Sequence, residues 1–255
     1  MPPADGVFAA TLARQLRADP GRPLVTFYDF ATGERVELSV ATYANWVAKT
    51  ASLLVQVADL ERGQRLLVDL PAHWLTPVFL GAAWTVGLEV VWDESDVPAD
   101  GFVTGPAALS TYAQQAGRRP VVATALLPLG VRFADPLPDG VLDFGLEVWS
   151  QPDAFVPWDP PTEDDAAAPG WSQGALMRAA AAGTLLPDSG AVLADGGRLL
   201  SEVSPASPSG LASFVEPLAR SGSTVFVVGA EGPDGRAWLE ATYAAERATA
   251  RYAGS

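Results

Sequence analysis

The stretch from residue 65 to residue 92 constrains the fold more than any other part of the chain. Arg65-Leu66-Leu67-Val68-Asp69-Leu70 is a short apolar run with the length of a buried strand. Residues 74–86 are apolar almost all the way round, a pattern a helix tolerates only when it is covered. Gly87 follows, where a helix C-terminus accepts a left-handed residue, and residues 88–92 return to strand composition. A strand, a covered helix and a strand with short joins make a βαβ unit, which implies a parallel sheet covered on both faces.

The remaining segments fit that frame. Phe8, Leu12 and Leu16 mark a short amphipathic helix, and Leu24-Val25-Thr26-Phe27-Tyr28 is a β-rich run that can pair with residues 35–38 across Thr32-Gly33. Ser39 is placed to cap a helix whose Tyr43, Trp46, Val47, Thr50, Leu53 and Leu54 share one face. Residues 102–104 and 121–124 are expected strands around a helix near 107–116. Residues 136–170 are rich in proline and carboxylates and are expected to be an irregular linker. Beyond them, helices are expected at 173–182, 210–220 and 236–252, and strands at 198–203 and 223–228.

Composition narrows the function. The formal net charge is -14, so phosphate backbones and anionic lipid are repelled, and neither nucleic acid nor a membrane surface is expected as a partner. The absence of cysteine excludes disulfides, thiolate metal sites and a cysteine nucleophile. Residues 1–20 lack a basic segment followed by an apolar run, and no stretch reaches the roughly 18 apolar residues of a membrane span. The expected location is cytoplasmic.

Two ordered stretches resemble the adenylate-forming superfamily of acyl-CoA synthetases, luciferases and adenylation domains. The first joins the helix at 39–56, the turn and strand Leu60-Glu61-Arg62-Gly63-Gln64-Arg65-Leu66-Leu67-Val68-Asp69-Leu70-Pro71, and the helix and strand at 76–91. The second is Gly197-Arg198-Leu199-Leu200-Ser201-Glu202-Val203, Gly210-Leu211, and Pro217-Leu218-Ala219-Arg220-Ser221-Gly222-Ser223-Thr224-Val225. The resemblance covers the front half of the family's large domain and implies an α/β fold of two stacked, mainly parallel sheets. It also implies ATP or AMP and CoA as ligands.

Between the two stretches the family carries a phosphate loop, Ser/Thr-Gly-Thr/Ser-Thr-Gly-x-Pro-Lys-Gly, whose N–H groups and hydroxyls cradle ATP. Here Asp164-Asp165-Ala166-Ala167-Ala168-Pro169-Gly170-Trp171-Ser172 runs straight into a helix, with no cluster of glycine and hydroxyl residues and no lysine. Where the family has an aromatic/His acyl-site motif, this chain has Ser204-Pro205-Ala206-Ser207. The family's nucleotide motifs and catalytic lid fall beyond Ser255 in family order. No catalytic residue, cofactor or metal is therefore expected.

Several constellations remain. Gly170-Trp171-Ser172-Gln173-Gly174 spells the G-x-S-x-G nucleophile elbow, but no buried strand precedes it and the single histidine, His73, lies upstream, so Ser172 reads as a helix cap. His73 follows a parallel strand, at the edge where open α/β sheets bind ligands, and Trp92-Asp93-Glu94-Ser95-Asp96 follows another. Gly229-Ala230-Glu231-Gly232-Pro233-Asp234-Gly235 reads as a surface turn, because its carboxylates oppose phosphate. The candidate crevice is His73, Trp92, Asp93 and Ser207. The organisation expected is one compact unit with a lobe near 65–150 and another from 1–60 and 171–255. The function expected is a catalytically inactive relative that binds or scaffolds, with a protein partner or an acyl or aromatic small molecule. The alternatives are an adenylate-forming or CoA-linked enzyme completed by a partner chain, and an unrelated small-molecule enzyme.

Overall fold

The computed structural model describes residues 6–94, 97–185 and 193–253. In chain order the elements are α1 (Phe8–Ala18), β1 (Pro23–Asp29), β2 (Arg35–Ser39), α2 (Val40–Gln56), β3 (Arg65–Asp69), α3 (Leu75–Val86), β4 (Glu89–Val91) and β5 (Gly101–Thr104). Then come α4 (Leu109–Tyr112), β6 (Val121–Ala123), β7 (Val141–Asp143), α5 (Phe144–Glu147), β8 (Ala166–Ala168), β9 (Trp171–Ser172) and α6 (Gln173–Ala182). β10 (Arg198–Ser201), α7 (Ala212–Ala219), β11 (Ser223–Val228), α8 (Gly232–Ala245) and β12 (Ala250–Tyr252) complete the described chain.

The chain divides into two compact units. One takes its described residues from Met1–Ala10, Ala44–Leu70 and Val78–Gly174, the other from Thr11–Tyr43, Pro71–Pro77 and Ala175–Ser255. These boundaries differ from the division expected at residues 60, 65, 150 and 171: most of α2 joins the first unit, and residues 71–77 join the second.

The first unit holds a sheet of order β4-β3-β5-β6-β7 in which every pairing is parallel. Leu67, Val91, Phe102 and Val121 pack on one of its faces. Arg65 sits at the head of β3, with its Nε on Glu89 at 2.9 Å and its backbone N–H donating to Asp100 at 2.7 Å. The βαβ expectation for 65–92 is met by β3, α3 and β4. Gly87 has φ +97° and accepts the helix end, its N–H donating to the Ala83 carbonyl.

The second unit holds a sheet of order β12-β10-β11-β1-β2, parallel except for the β1–β2 hairpin. Five of the six β11 residues are buried, as a strand covered on both faces requires. Leu200, Val225, Val227 and Leu239 form part of the core between this sheet and α8. At the head of α2 the Ser39 hydroxyl accepts the Thr42 N–H at 3.1 Å, the cap anticipated from sequence.

Two segments depart from their sequence reading. The stretch 136–170 is more than a linker, since it supplies β7 at the edge of a parallel sheet as well as α5 and β8. The terminal helix begins earlier and stops at Ala245, not at residue 252. Arg247 takes φ +50°, the Thr249 hydroxyl accepts the Arg198 N–H at 3.0 Å, and residues 250–252 pair in parallel with β10. The helix near 107–116 is the single turn α4 followed by a 3-10 turn.

Candidate functional site

At the place where the resemblance puts a phosphate loop, the chain forms a short antiparallel hairpin. β8 and β9 pair Ala166 with Ser172 and Ala168 with Trp171, leaving Pro169-Gly170 as the two-residue turn. Proline presets φ at the first turn position, and Gly170 supplies φ +80° at the second, the arrangement of a type II turn. Such a turn presents no run of backbone N–H groups converging on an anion.

Several polar groups around the hairpin bond one another. Trp84 Nε1–H donates to the Ala167 carbonyl at 2.8 Å, Gln173 Nε2–H donates to the Trp84 carbonyl at 2.8 Å, and the Phe8 N–H donates to Gln173 Oε1 at 3.2 Å. Arg62 grips both oxygens of Asp165, each at 2.9 Å, and reaches Asp159 at 2.8 Å. A bidentate guanidinium–carboxylate pair is among the stronger polar contacts. Here it commits Arg62, beside the hairpin, to acidic neighbours. Glycine at 87 is needed for this, because a Cβ there would lie 2.8 Å from Arg62 Cγ.

The G-x-S-x-G sequence falls on this hairpin. Ser172 ends β9 in a two-stranded antiparallel ladder and directly precedes α6, so no parallel strand delivers it to a nucleophile elbow. His73 belongs to the other unit.

His73 is 3% exposed, with its ring centroid 4.6 Å from Phe27 and 5.6 Å from Trp74. Its Nδ1 accepts the Leu75 N–H at 3.2 Å and its carbonyl accepts the Thr76 N–H, so the residue caps α3. Burial pushes its pKa down to about 3, against the opposing pull of Asp29. The ring is therefore neutral near pH 7, with the proton on Nε2. That nitrogen is buried and has no hydrogen-bond partner.

Trp92 is half-buried and Asp93 exposed just after β4. Glu94 is committed: it accepts the Ala99 N–H at 2.9 Å and the Arg119 guanidinium at 2.5 Å. Burial would raise its pKa, but these two partners outweigh it and hold the carboxyl below its ordinary value. Ser95 and Asp96 lie outside the described residues. Among the described residues no group of three or more histidine or carboxylate side chains is placed to hold a metal ion. Ser207 serves its own loop, donating to the Ser204 carbonyl at 2.8 Å and accepting the Gly210 N–H at 3.0 Å ahead of α7.

The four crevice residues are divided between units: His73 and Ser207 belong to one, Trp92 and Asp93 to the other. The residues that the sequence reading passed over are Arg62, Trp84 and Gln173, which hold the hairpin. Arg62 and Gln173 lay inside stretches singled out for other reasons, and Trp84 carried only its place on a covered helix. No helix among the described residues is long and apolar enough to cross a membrane.

No family model matches the chain. A Mycobacterium tuberculosis (strain ATCC 25618 / H37Rv) protein named only "TIGR03089 family protein" is 41% identical over 153 residues, which is 58% of this chain and 61% of that protein. Among solved structures, a Brucella canis acyl-CoA synthetase superposes with a TM-score of 0.77 at 16% identity over 99% of this chain and 48% of its own. A benzoate CoA ligase from Burkholderia xenovorans LB400 gives 0.70 at 17% identity over 96% and 50%. The acetoacetyl-CoA synthetase from Streptomyces lividans gives 0.70 at 18% identity over 90% and 40%. The chain thus spans about half the length of the synthetases it matches, and over that span it adopts the fold of the adenylate-forming acyl-CoA synthetases and CoA ligases.

Proposed function

We propose that this chain is a catalytically inactive relative of the AMP-binding acyl-CoA synthetases and works as a binding or scaffold protein. The observation that carries the reading is the Pro169-Gly170 turn, which closes a tight hairpin at the position of the phosphate loop. An adenylating enzyme must stabilise the charge on a transferring nucleotide with preorganised donors. Beside this hairpin Arg62 is bound to two carboxylates, and Asp164 adds a further exposed negative charge. A polyanion arriving there meets repulsion and no compensating cradle. A shared fold does not carry activity with it, because chemistry resides in the site grafted onto the fold.

The test is ATP–pyrophosphate exchange over a panel of aliphatic and aromatic carboxylic acids, with thermal-shift titrations of ATP and CoA alongside. The expected result is no exchange above background and no nucleotide-dependent rise in Tm. Robust exchange by the purified chain would sink the reading. So would saturable stabilisation by ATP, since a ligand held by the native state raises stability by mass action.

A further inference from the structure

Between Arg132 and Arg178 the chain carries nine carboxylates and neither lysine nor arginine. The same stretch holds five large apolar side chains that the fold leaves in water, namely Leu146, Trp149, Val156, Trp158 and Trp171. Trp158 is wholly exposed and Val156 is 80% exposed. Single apolar residues on a surface need no explanation, but an indole left entirely in water beside other apolar groups marks a contact surface.

Residues 155–161 form a strap within the first unit, tied down at both ends. On one side Lys49 donates to the Gln151 carbonyl at 2.5 Å and pairs with Asp153 at 3.0 Å. On the other, Arg62 pairs with Asp159 at 2.8 Å. Two clefts open beside it. One, of about 340 Å³, is bounded by Ala9, Thr85 and Pro161, and the other, of about 480 Å³, by Val55, Leu60, Glu61 and Arg62. Phe155, Val156, Pro157 and Trp158 line both.

The charge of the surface selects its occupant. The cations that touch the strap are already matched, and Arg62 serves Asp159 and Asp165 together, so that corner stays net negative. Glu61 and Asp164 add exposed carboxylates. We propose that the strap and its two clefts are a docking surface for a protein segment in which arginine or lysine side chains alternate with aliphatic ones. The aliphatic groups enter the clefts, the cations meet the acidic rim, and a guanidinium can lie over the exposed Trp158 indole. A second copy of the chain is disfavoured, because each copy presents the same acidic face in a molecule of net charge -14. This assignment shares the Arg62 corner with the hairpin but is tested apart from the nucleotide reading, since its test contains no nucleotide.

The test is a fluorescence-polarisation titration with three labelled peptides. They are an amphipathic helix former built of arginine and leucine, the same sequence with glutamate for arginine, and a scrambled arginine–leucine peptide. The expected result is saturable binding of the first alone, weakened by salt and weakened about tenfold or more by Trp158→Ala, as for a central aromatic anchor. Trp158→Phe should recover part of the loss, and both variants should keep the parent Tm because the side chain packs on nothing. Three outcomes would overturn the proposal. One is the absence of saturable binding. Another is equal affinity for the scrambled peptide or for the Trp158→Ala protein, which would reduce the effect to net charge. The third is a dimer in sedimentation that Trp158→Ala dissociates, which would make a second copy the occupant.

Discussion

The indole N–H of Trp84 in α3 donates to the carbonyl of Ala167 in β8, 83 residues along the chain, at 2.8 Å. Both residues are buried, and the contact fastens the β8–β9 hairpin to the covered helix of the βαβ unit. The hairpin is thus a packed structural element.

Trp84→Phe keeps an aromatic ring against Phe8, whose centroid lies 5.4 Å away, but strips the Ala167 carbonyl of its donor. A buried acceptor left unpaired costs about 1–3 kcal/mol, and the lost ring volume adds to it. Urea unfolding should show a loss of about 3 kcal/mol. Trp84→Leu, which removes the ring contact as well, should lose more.

Gly170→Ala should cost about 1 kcal/mol. Nothing lies within 4 Å of a Cβ built there, so the whole penalty is the backbone strain of holding φ +80° with a side chain. Gly170→Asn should cost less, since asparagine tolerates that region. Equal losses for the two, measured by denaturant midpoint, would point to a clash and contradict the open surroundings.

His73 makes stability depend on pH in one direction. Unfolded, its imidazole has the ordinary value near 6.5, and burial lowers the folded value to about 3, with Asp29 opposing. Between those limits the unfolded chain binds a proton that the folded chain refuses. Its contribution is intact above pH 6.5 and is lost as pH falls towards 3, with a slope approaching about 1.4 kcal/mol per pH unit. His73→Asn keeps a side-chain acceptor for the Leu75 N–H and removes the titration. Unfolding free energies measured from pH 7 to pH 4.5 should fall more gently for this variant than for the parent.

Arg198 and Glu246 form the centre of a polar network on the second unit's sheet. Arg198 reaches Glu246, the Thr26 hydroxyl at 2.9 Å and the Ser223 hydroxyl at 3.0 Å, while Glu246 also accepts from Tyr28 and Arg35. Burial alone would raise the Glu246 pKa, but the Tyr28, Arg198 and Arg35 contacts outweigh it and lower it. Its stabilisation is therefore present above the ordinary carboxylate range and is lost as pH falls through the lowered value. The two side chains are 14% and 11% exposed, so solvent screens them partly. Arg198→Met should cost about 2 kcal/mol. A double-mutant cycle with Glu246→Gln should recover a coupling of about 1 kcal/mol or more.

Much of this was legible in the residues alone. The apolar runs, the covered helix at 75–86 and Gly87 specify β3, α3 and β4 through local period and one left-handed position, and the parallel sheet follows from their short joins. Ser39 as a cap is likewise a local fact of side-chain chemistry. What the residues could not reveal is whatever depends on a partner far along the chain. Ala250-Arg251-Tyr252 has no strand pattern of its own and becomes β12 only by pairing with β10, about fifty residues earlier. Val141-Leu142-Asp143 sits among prolines and becomes β7 by joining the edge of β6. His73 looked like a crevice residue at a sheet edge, but packing against Phe27 and capping α3 bury it as a neutral ring. The exposure of Trp158 follows the same logic. Burial is a property of the surface left once the elements have packed, and eight tryptophans in a sequence do not say which of them will remain in water.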